Sequence, residues 1–346
     1  MDPEAAPGVD PGVVVRRLAP DGLAGPTPRV GVGGPDEVFV RLAPRLREGE
    51  ARLRSLVGSE VDVVAAIGRY LASAGGKRLR PMLTALGAGV VGFRGDWSGL
   101  MCVAELIHLG SLLHDDVVDG ADLRRGRPAA HTVYGNAATI LTGDFCLARA
   151  VLLAGEAGGH RAVVELARAV TAMAEGEVLQ LQRAGNLHTS LDAYLEMIDK
   201  KSAALIAWAS AAGAYATGDD AAAVALERFG RGVGVAFQIT DDVLDYAEGT
   251  GKAPGADLRE RKLTLPLVHA MVRVPSLRVR LSERAPTEAE VPALVDEVRR
   301  SGALDAALAD ARQRVADALA CLEVLPDGVD RDSLAVLGRY LVERAR

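Results

Sequence analysis

Cysteine is scarce: Cys102, Cys146 and Cys321 are all that a chain of 346 residues carries, and no two stand in CxxC spacing. That excludes a disulfide framework and a cysteine-based zinc site, and it fits a reducing cytoplasm. The N-terminus lacks the basic patch followed by an apolar core that a secretory signal needs, so export is not indicated. Long hydrophobic runs are missing too. The longest uncharged stretch, Ser202 to Gly218, is dominated by Ala with interspersed Ser, Gly and Thr; it falls short of a membrane span and reads as a tightly packed interior helix. Positive charge is not in excess: 40 Lys and Arg against 46 Asp and Glu leave a net charge of -6, which excludes a general nucleic-acid binder.

Hydrophobic residues are plentiful at 49%, enough for a large core. Seven of the 16 prolines fall in residues 1–35, a stretch without periodicity that reads as a disordered tail. From Asp36 to residue 346 the apolar residues recur at helical spacing, and no internal linker divides them. This predicts one all-α domain, with helices over Glu60–Ser73, Leu100–Val118, Arg161–Leu181, Leu191–Ala216 and Ala221–Tyr246. From about Thr287 onward the chain is amphipathic and charged, as expected of helices that cover a core.

Two acidic pentapeptides stand out against this background, Asp115-Asp116-Val117-Val118-Asp119 and Asp241-Asp242-Val243-Leu244-Asp245. The outer carboxylates of each are spaced i,i+4, so on a helix they share a face and repel. A divalent cation reverses that sign, and hard oxygen donors suit Mg²⁺, which commonly bridges carboxylates to phosphates. Each motif therefore reads as half of a metal clamp, the alternative being a solvated acidic face. Cations lie near both. Gly75-Gly76-Lys77-Arg78-Leu79-Arg80 precedes a helix, Arg124-Arg125-Gly126-Arg127 follows the first motif, and Lys252 and Lys262 follow the second. Arginine grips phosphate oxygens bidentately where lysine acts as a point charge. Acid clusters twice accompanied by cations are what a diphosphate with bound metals would need. His108 and His114 lack a second histidine at ligand spacing and are expected to hydrogen-bond substrate or core. Gln238, three residues before Asp241, offers an amide to a phosphate or to packing.

With these residues in view the chain resembles the trans-type isoprenyl diphosphate synthases, the polyprenyl synthetase family, over about Gly75 to Pro266. The resemblance is carried by Gly75 to Pro81, His114 to Asp119 with Arg124-Arg125-Gly126, Gly143-Asp144, Glu175-Gly176-Glu177 with Gln180, Lys201-Ser202-Ala203, Phe237-Gln238 before Asp241-Asp242, and Gly251-Lys252. One departure is Arg261, where the family usually has Gly before the final Lys of the element running from Asp257 to Lys262.

The resemblance implies an all-α isoprenoid synthase bundle around a deep central cavity, usually in a homodimer, with Mg²⁺, three ions per site. Asp115, Asp119 and Asp241 would ligate metal directly, with Asp116, Asp242 and Asp245 as further ligands or supporting partners. Arg124, Lys201, Ser202, Gln238 and Lys262 would hold an allylic diphosphate, with Lys252 nearby. Lys77, Arg80, His108 and Arg125 would hold isopentenyl diphosphate. The allylic C–O bond would ionise, the double bond of isopentenyl diphosphate would attack the cation, and the departed diphosphate would take the proton that is lost.

In the family that the chain resembles, bulky aromatics one turn upstream of the first acidic motif close the tunnel, so the resemblance implies that the small Gly110 and Ser111 leave it open for a product longer than farnesyl; a geranylgeranyl or farnesyl product stays open as an alternative. Further alternatives are a class I terpene cyclase, disfavoured by Lys77–Arg80 and by only 4% aromatics, and a non-catalytic partner subunit, disfavoured by two intact Asp motifs. A calcium-binding scaffold lacks the glycine turn and terminal Glu of an EF-hand loop.

Overall fold

The computed structural model describes residues 32–73, 76, 78–247 and 254–343. The tail expected over residues 1–35 lies outside these up to residue 31, and so do Lys77 and Lys252. In chain order the helices are α1 (Pro35–Leu56), α2 (Asp62–Ala72), α3 (Leu79–Val90), α4 (Trp97–Val118), α5 (Ala130–Tyr134), α6 (Asn136–Arg183) and α7 (Leu191–Ile198). A π-helical turn over Asp199–Ala203 leads into α8 (Ala204–Thr217) and α9 (Asp220–Leu244). Then come α10 (Ala256–Arg259), α11 (Leu265–Arg273), α12 (Pro275–Glu283), α13 (Val291–Arg300), α14 (Ala303–Ala320) and α15 (Val329–Glu343). Among the described residues the only sheet is a hairpin pairing Leu123–Arg124 with Arg127–Pro128. The fold is all-α.

Local signals set the ends of the helices that matter most. Asp96 opens α4 by accepting the Gly99 amide at 2.9 Å, and Asp219 opens α9 by accepting that of Ala222 at 2.9 Å, each satisfying a backbone donor that the first helical turn leaves over. The alanine-rich α8 is buried from Ala204 to Tyr215, as expected for an interior helix apolar all round. It is the hub of the core because small residues let its neighbours approach. A methyl group added at Gly87 of α3 would lie 2.0 Å from the Ser210 carbonyl oxygen. Leu83, Leu86, Leu100, Leu106, Ile107, Trp208, Leu226 and Phe229 close the main core around it. A smaller core of Tyr246, Leu258, Leu267, Met271, Val295 and Val298 supports the chain after the second acidic motif.

Three boundaries depart from expectation. The stretch Leu191–Ala216 is not one helix but α7, the π turn and α8; its uniform periodicity gave no sign of the extra residue a π turn inserts. The helix expected over Arg161–Leu181 follows a break at Gly159, with φ 74, but α6 continues upstream of that kink to Asn136. The hairpin at Leu123–Pro128 was not foreseen.

Among the described residues one helix, α6, is long and apolar enough by length and composition to cross a membrane, where none was expected. Of its most apolar window 39% is buried inside the protein, and its last turns carry Gln180 and Arg183 to an internal cavity.

Candidate active site

Helix α4 delivers the first acidic motif and α9 the second, both at their C-terminal ends, where the helix dipole adds to the cost of concentrating carboxylates. They border a cavity of about 370 Å³ lined by Asp119, Lys201, Gln238, Asp242, Asp257 and Lys262, among others. Asp115 lies within electrostatic reach of Lys201, Glu177 and Asp119. Burial, ahead of repulsion from Glu177 and Asp119, pushes its carboxyl up to about 6 against the pull of Lys201 and Arg124.

Within each motif the carboxylates divide their labour. Asp116 is turned inward and fully buried; its Oδ1 accepts Arg124 Nε at 2.7 Å and Nη2 at 2.5 Å, while Oδ2 is buried with no partner. Asp242 is buried with both oxygens engaged, Oδ2 by the Tyr194 hydroxyl at 2.5 Å and Oδ1 by Gln238 Nε2 at 2.8 Å. Burial, with the charges of Asp241 and Asp245, raises its pKa although both hydrogen bonds favour the carboxylate. Asp245 accepts the amides of Ala256 at 3.2 Å and Asp257 at 3.0 Å, which ties α10 to the end of α9. Each Asp245 oxygen thus accepts one backbone amide and keeps lone-pair capacity toward the cavity side of the motif.

The π turn aims the next pair of side chains. Lys201 Nζ meets Glu177 Oε2 at 2.5 Å and Gln180 Oε1 at 3.0 Å, and Ser202 Oγ donates to Gln238 Oε1 at 2.7 Å. Ser202, Gln238, Asp242 and Tyr194 thus form one hydrogen-bonded row that fixes the amide of Gln238. The turn fits against α6 only because residue 176 has no side chain: a methyl there would lie 2.5 Å from Lys201 N. Lys262 Nζ pairs with Glu260 at 2.5 Å. Burial opposes its ammonium, but Glu260, Asp119 and Asp257 outweigh that and hold it above the usual lysine range.

A second cationic region gathers around His108. Burial, then the charges of Arg80, Arg125, Arg124 and Arg78, push the imidazole well below its ordinary pKa, so it is neutral. Arg78 is spent on structure, donating to Glu50 at 3.1 Å and Glu105 at 2.9 Å. Arg80 is held low by burial, with the charges of Glu105 and Asp241 opposing, and its Nε is buried without a partner. His114 leaves the site altogether, with Nε2 at 3.1 Å from the Ile140 carbonyl and 3.3 Å from Asp144.

Of the two residues expected to set product length, only Ser111 shares the helix face of Asp115, its Oγ donating to the His108 carbonyl at 3.0 Å. Gly110 is reassigned. A methyl there would lie 3.0 Å from the Gly143 carbonyl oxygen of α6, so a large residue would push the helices apart.

Sequence reasoning missed Glu177 as the partner of Lys201, Tyr194 as the donor to Asp242, and Asp257, whose carboxyl burial raises well above the usual range beside Asp242 and Asp245. The Glu175-Gly176-Glu177 stretch carried a usable signal; nothing local marks Tyr194.

Among the described residues no three His, Cys, Asp or Glu could hold a metal on their own. Carboxylates from two helices, including an Asp116 oxygen without a partner, fit Mg²⁺, which takes oxygen donors and completes its sphere with water and phosphate.

The description "polyprenyl synthetase" belongs to the family whose profile matches residues 61–299. The chain belongs to this family. As a polyprenyl synthetase it is an enzyme, a prenyltransferase of the all-α isoprenoid synthase fold. An octaprenyl diphosphate synthase of Haemophilus influenzae is 36% identical over 319 residues, 89% of this chain and 97% of that protein. A short chain isoprenyl diphosphate synthase of Methanothermobacter thermautotrophicus is 38% identical over 287 residues, 80% of this chain and 88% of that one. The solved polyprenyl synthase of Caulobacter crescentus, complexed with calcium and isoprenyl diphosphate, superposes with a TM-score of 0.85 at 40% identity, covering 92% of this chain and 100% of that one.

Proposed function

We propose that this polyprenyl synthetase condenses isopentenyl diphosphate head-to-tail with an allylic prenyl diphosphate, giving an all-trans product longer than farnesyl. The observation that carries the reading is the pairing of two charged regions: the carboxylate and lysine cavity lined by Asp119, Asp242, Lys201 and Lys262, with Asp115 in electrostatic reach of Lys201 and Asp119, and the arginine cluster around His108. One diphosphate would explain the first; a second substrate is needed for the other, which a terpene cyclase would not require.

Mg²⁺, held by Asp115, Asp119 and Asp241, with a proposed total of three ions, would supply the positive charge that draws electrons onto the leaving diphosphate. Lys201, Lys262, Arg124 and Gln238 hold that diphosphate by its oxygens. Asp116 fixes the Arg124 guanidinium, and Glu177 with Gln180 fix Lys201, so both cations are oriented before the charge develops. The electron pair of the allylic C–O bond goes to the leaving group, and the cation forms in an apolar channel. Arg80 and Arg125 hold isopentenyl diphosphate with its double bond toward that cation. Neutral His108 can bond a phosphate oxygen without taking up a proton. The proton released after the new C–C bond forms goes to the departed diphosphate.

The channel reading rests on Ser111. Enlarging it in Ser111→Phe is expected to shorten the main product by several five-carbon units with primer use retained, read by chromatography of dephosphorylated products. An unchanged chain length would put the tunnel floor elsewhere.

We also read the protein as a cytoplasmic homodimer. A stripe of exposed or half-covered residues on α6, Leu141, Phe145, Ala148 and Leu152, recurs at helical spacing on its uncovered side, and exposed apolar stripes of this kind favour association.

The deciding experiment incubates the purified protein with Mg²⁺, labelled isopentenyl diphosphate and, separately, geranyl, farnesyl or geranylgeranyl diphosphate. Incorporation into products longer than farnesyl is the expected outcome. Primer consumption without incorporation would favour a cyclase, and no reaction with any primer would favour a subunit that needs a partner.

A further inference from the structure

Among the described residues three non-glycine residues have left-handed backbone, and all are arginines: Arg78 with φ 51, Arg125 with φ 53 and Arg261 with φ 52. A side chain other than glycine is strained in this region and persists there only when its surroundings overdetermine it. Arg78 is held by its two glutamates. Among the described residues Arg261 has no carboxylate partner. Its Nη2 instead donates to two backbone carbonyls from distant parts of the chain, Gly185 at 3.2 Å and Ser282 at 3.2 Å, and its Nε is buried without an acceptor. Both the backbone and the orphaned donor oppose this placement, so the carbonyl contacts must hold it.

One of those contacts reaches the turn after α6 and the other reaches α12. Gly185 lies in the turn after α6, next to Arg183 and Ala184 of the lining. Ser282 lies in α12. Arg261 itself sits between Glu260 and Lys262, which line the same cavity. Lys262 is fixed at the backbone by its amide on the Asp257 carbonyl at 2.8 Å; Leu258 and Leu263 of its loop share a buried cluster with Leu187 of the turn after α6, and Arg261 adds a directional hydrogen bond between the two segments. We propose that Arg261 is a positioning residue: a strut between the turn after α6 and the 257–264 loop that holds Lys262 at the depth where it meets the allylic diphosphate. Glycine in its place would relax the backbone and remove the strut. The inference rests on the function proposed above, and specifies which of the two diphosphates the strut serves.

The test compares the full chain with Arg261→Gly and Arg261→Lys, titrating each calorimetrically with farnesyl diphosphate and, separately, isopentenyl diphosphate in the presence of Mg²⁺. Arg261→Gly is expected to keep its helical circular dichroism and its Tm, because relief of strain offsets the lost bonds. Its affinity for farnesyl diphosphate should fall about tenfold while that for isopentenyl diphosphate stays within about twofold. Arg261→Lys, with one bond at most, should lie between. Equal losses for both ligands, or no loss for farnesyl diphosphate in either variant, would overturn the strut. Because binding and not turnover is read, the result stands apart from the incorporation assay: a wild type that binds but does not condense sinks the proposed reaction and leaves the Arg261 comparison decisive.

Discussion

Asp115→Asn is expected to lower turnover by about a thousandfold or more while making the metal-free protein more stable at neutral pH. The rate loss follows from removing a charged ligand at the place where the leaving diphosphate must be neutralised. The gain in stability follows from what the carboxylate costs before any ligand arrives. Its pKa is raised from 3.8 to about 6, chiefly by burial and then by Glu177 and Asp119. A carboxyl whose folded pKa lies above its unfolded one binds more protons in the native state, so stability falls as pH rises between the two values and the full cost is present above the folded one. Neutralising the group should therefore stabilise by about 2 kcal/mol above pH 7, after discounting for partial solvent screening, and by nothing below pH 4. Thermal melts of both proteins in chelator at several pH values give the check. A variant less stable than wild type at pH 7.5, or one that keeps a tenth of the activity, would remove Asp115 from the clamp. The same pKa predicts that wild-type activity declines on an acid limb near pH 6, held lower where bound metal favours the carboxylate.

What the sequence disclosed about this site is what local spacing can disclose. Two carboxylates one turn apart, a run of cations and a glycine-bracketed basic loop are visible in a few residues, and the acidic motifs point to the helix ends that border the cavity. Roles that depend on distant contacts were hidden. Asp242 is distinguished from Asp241 by Tyr194, 48 residues away, and Asp245 by amides 11 and 12 residues further on. Arg78 looks like Arg80 in the sequence, yet Glu50 and Glu105 take it out of the anion pocket. Gly110 reads as an open tunnel floor because smallness alone does not say which way the missing side chain would point. The all-α fold was legible because the apolar periodicity is sustained from α2 to α9; the π turn was not, because one inserted residue in Asp199–Ala203 shifts the helical register without changing the kinds of residue around it.

That π turn bears the second large prediction. Gly176→Ala is expected to cut kcat/KM about a hundredfold although residue 176 touches no substrate. A methyl at this position would lie 2.5 Å from Lys201 N, 2.8 Å from its Cα and 2.9 Å from its Cβ. These are backbone or near-backbone atoms, so the clash cannot be relieved by a side-chain rotation and the turn must move away from α6. A displacement of about 1 Å in a charged group at a reacting centre can cost two orders of magnitude, and overpacking of this kind costs roughly 1–3 kcal/mol in stability. Moving Lys201 also removes the nearest cation from Asp115, whose pKa should rise further, so the acid limb of the pH–rate profile should shift upward. That shift separates misplacement of Lys201 from a merely weakened fold. Gly155→Ala supplies the control within the same helix: its nearest neighbour, Val163 Cγ2, would lie 3.6 Å away, an ordinary contact, so alanine's better helix propensity should leave activity intact and raise stability by up to about 1 kcal/mol. If Gly176→Ala matched Gly155→Ala in rate and acid limb, the close crossing of α6 and the π turn would not be what positions Lys201.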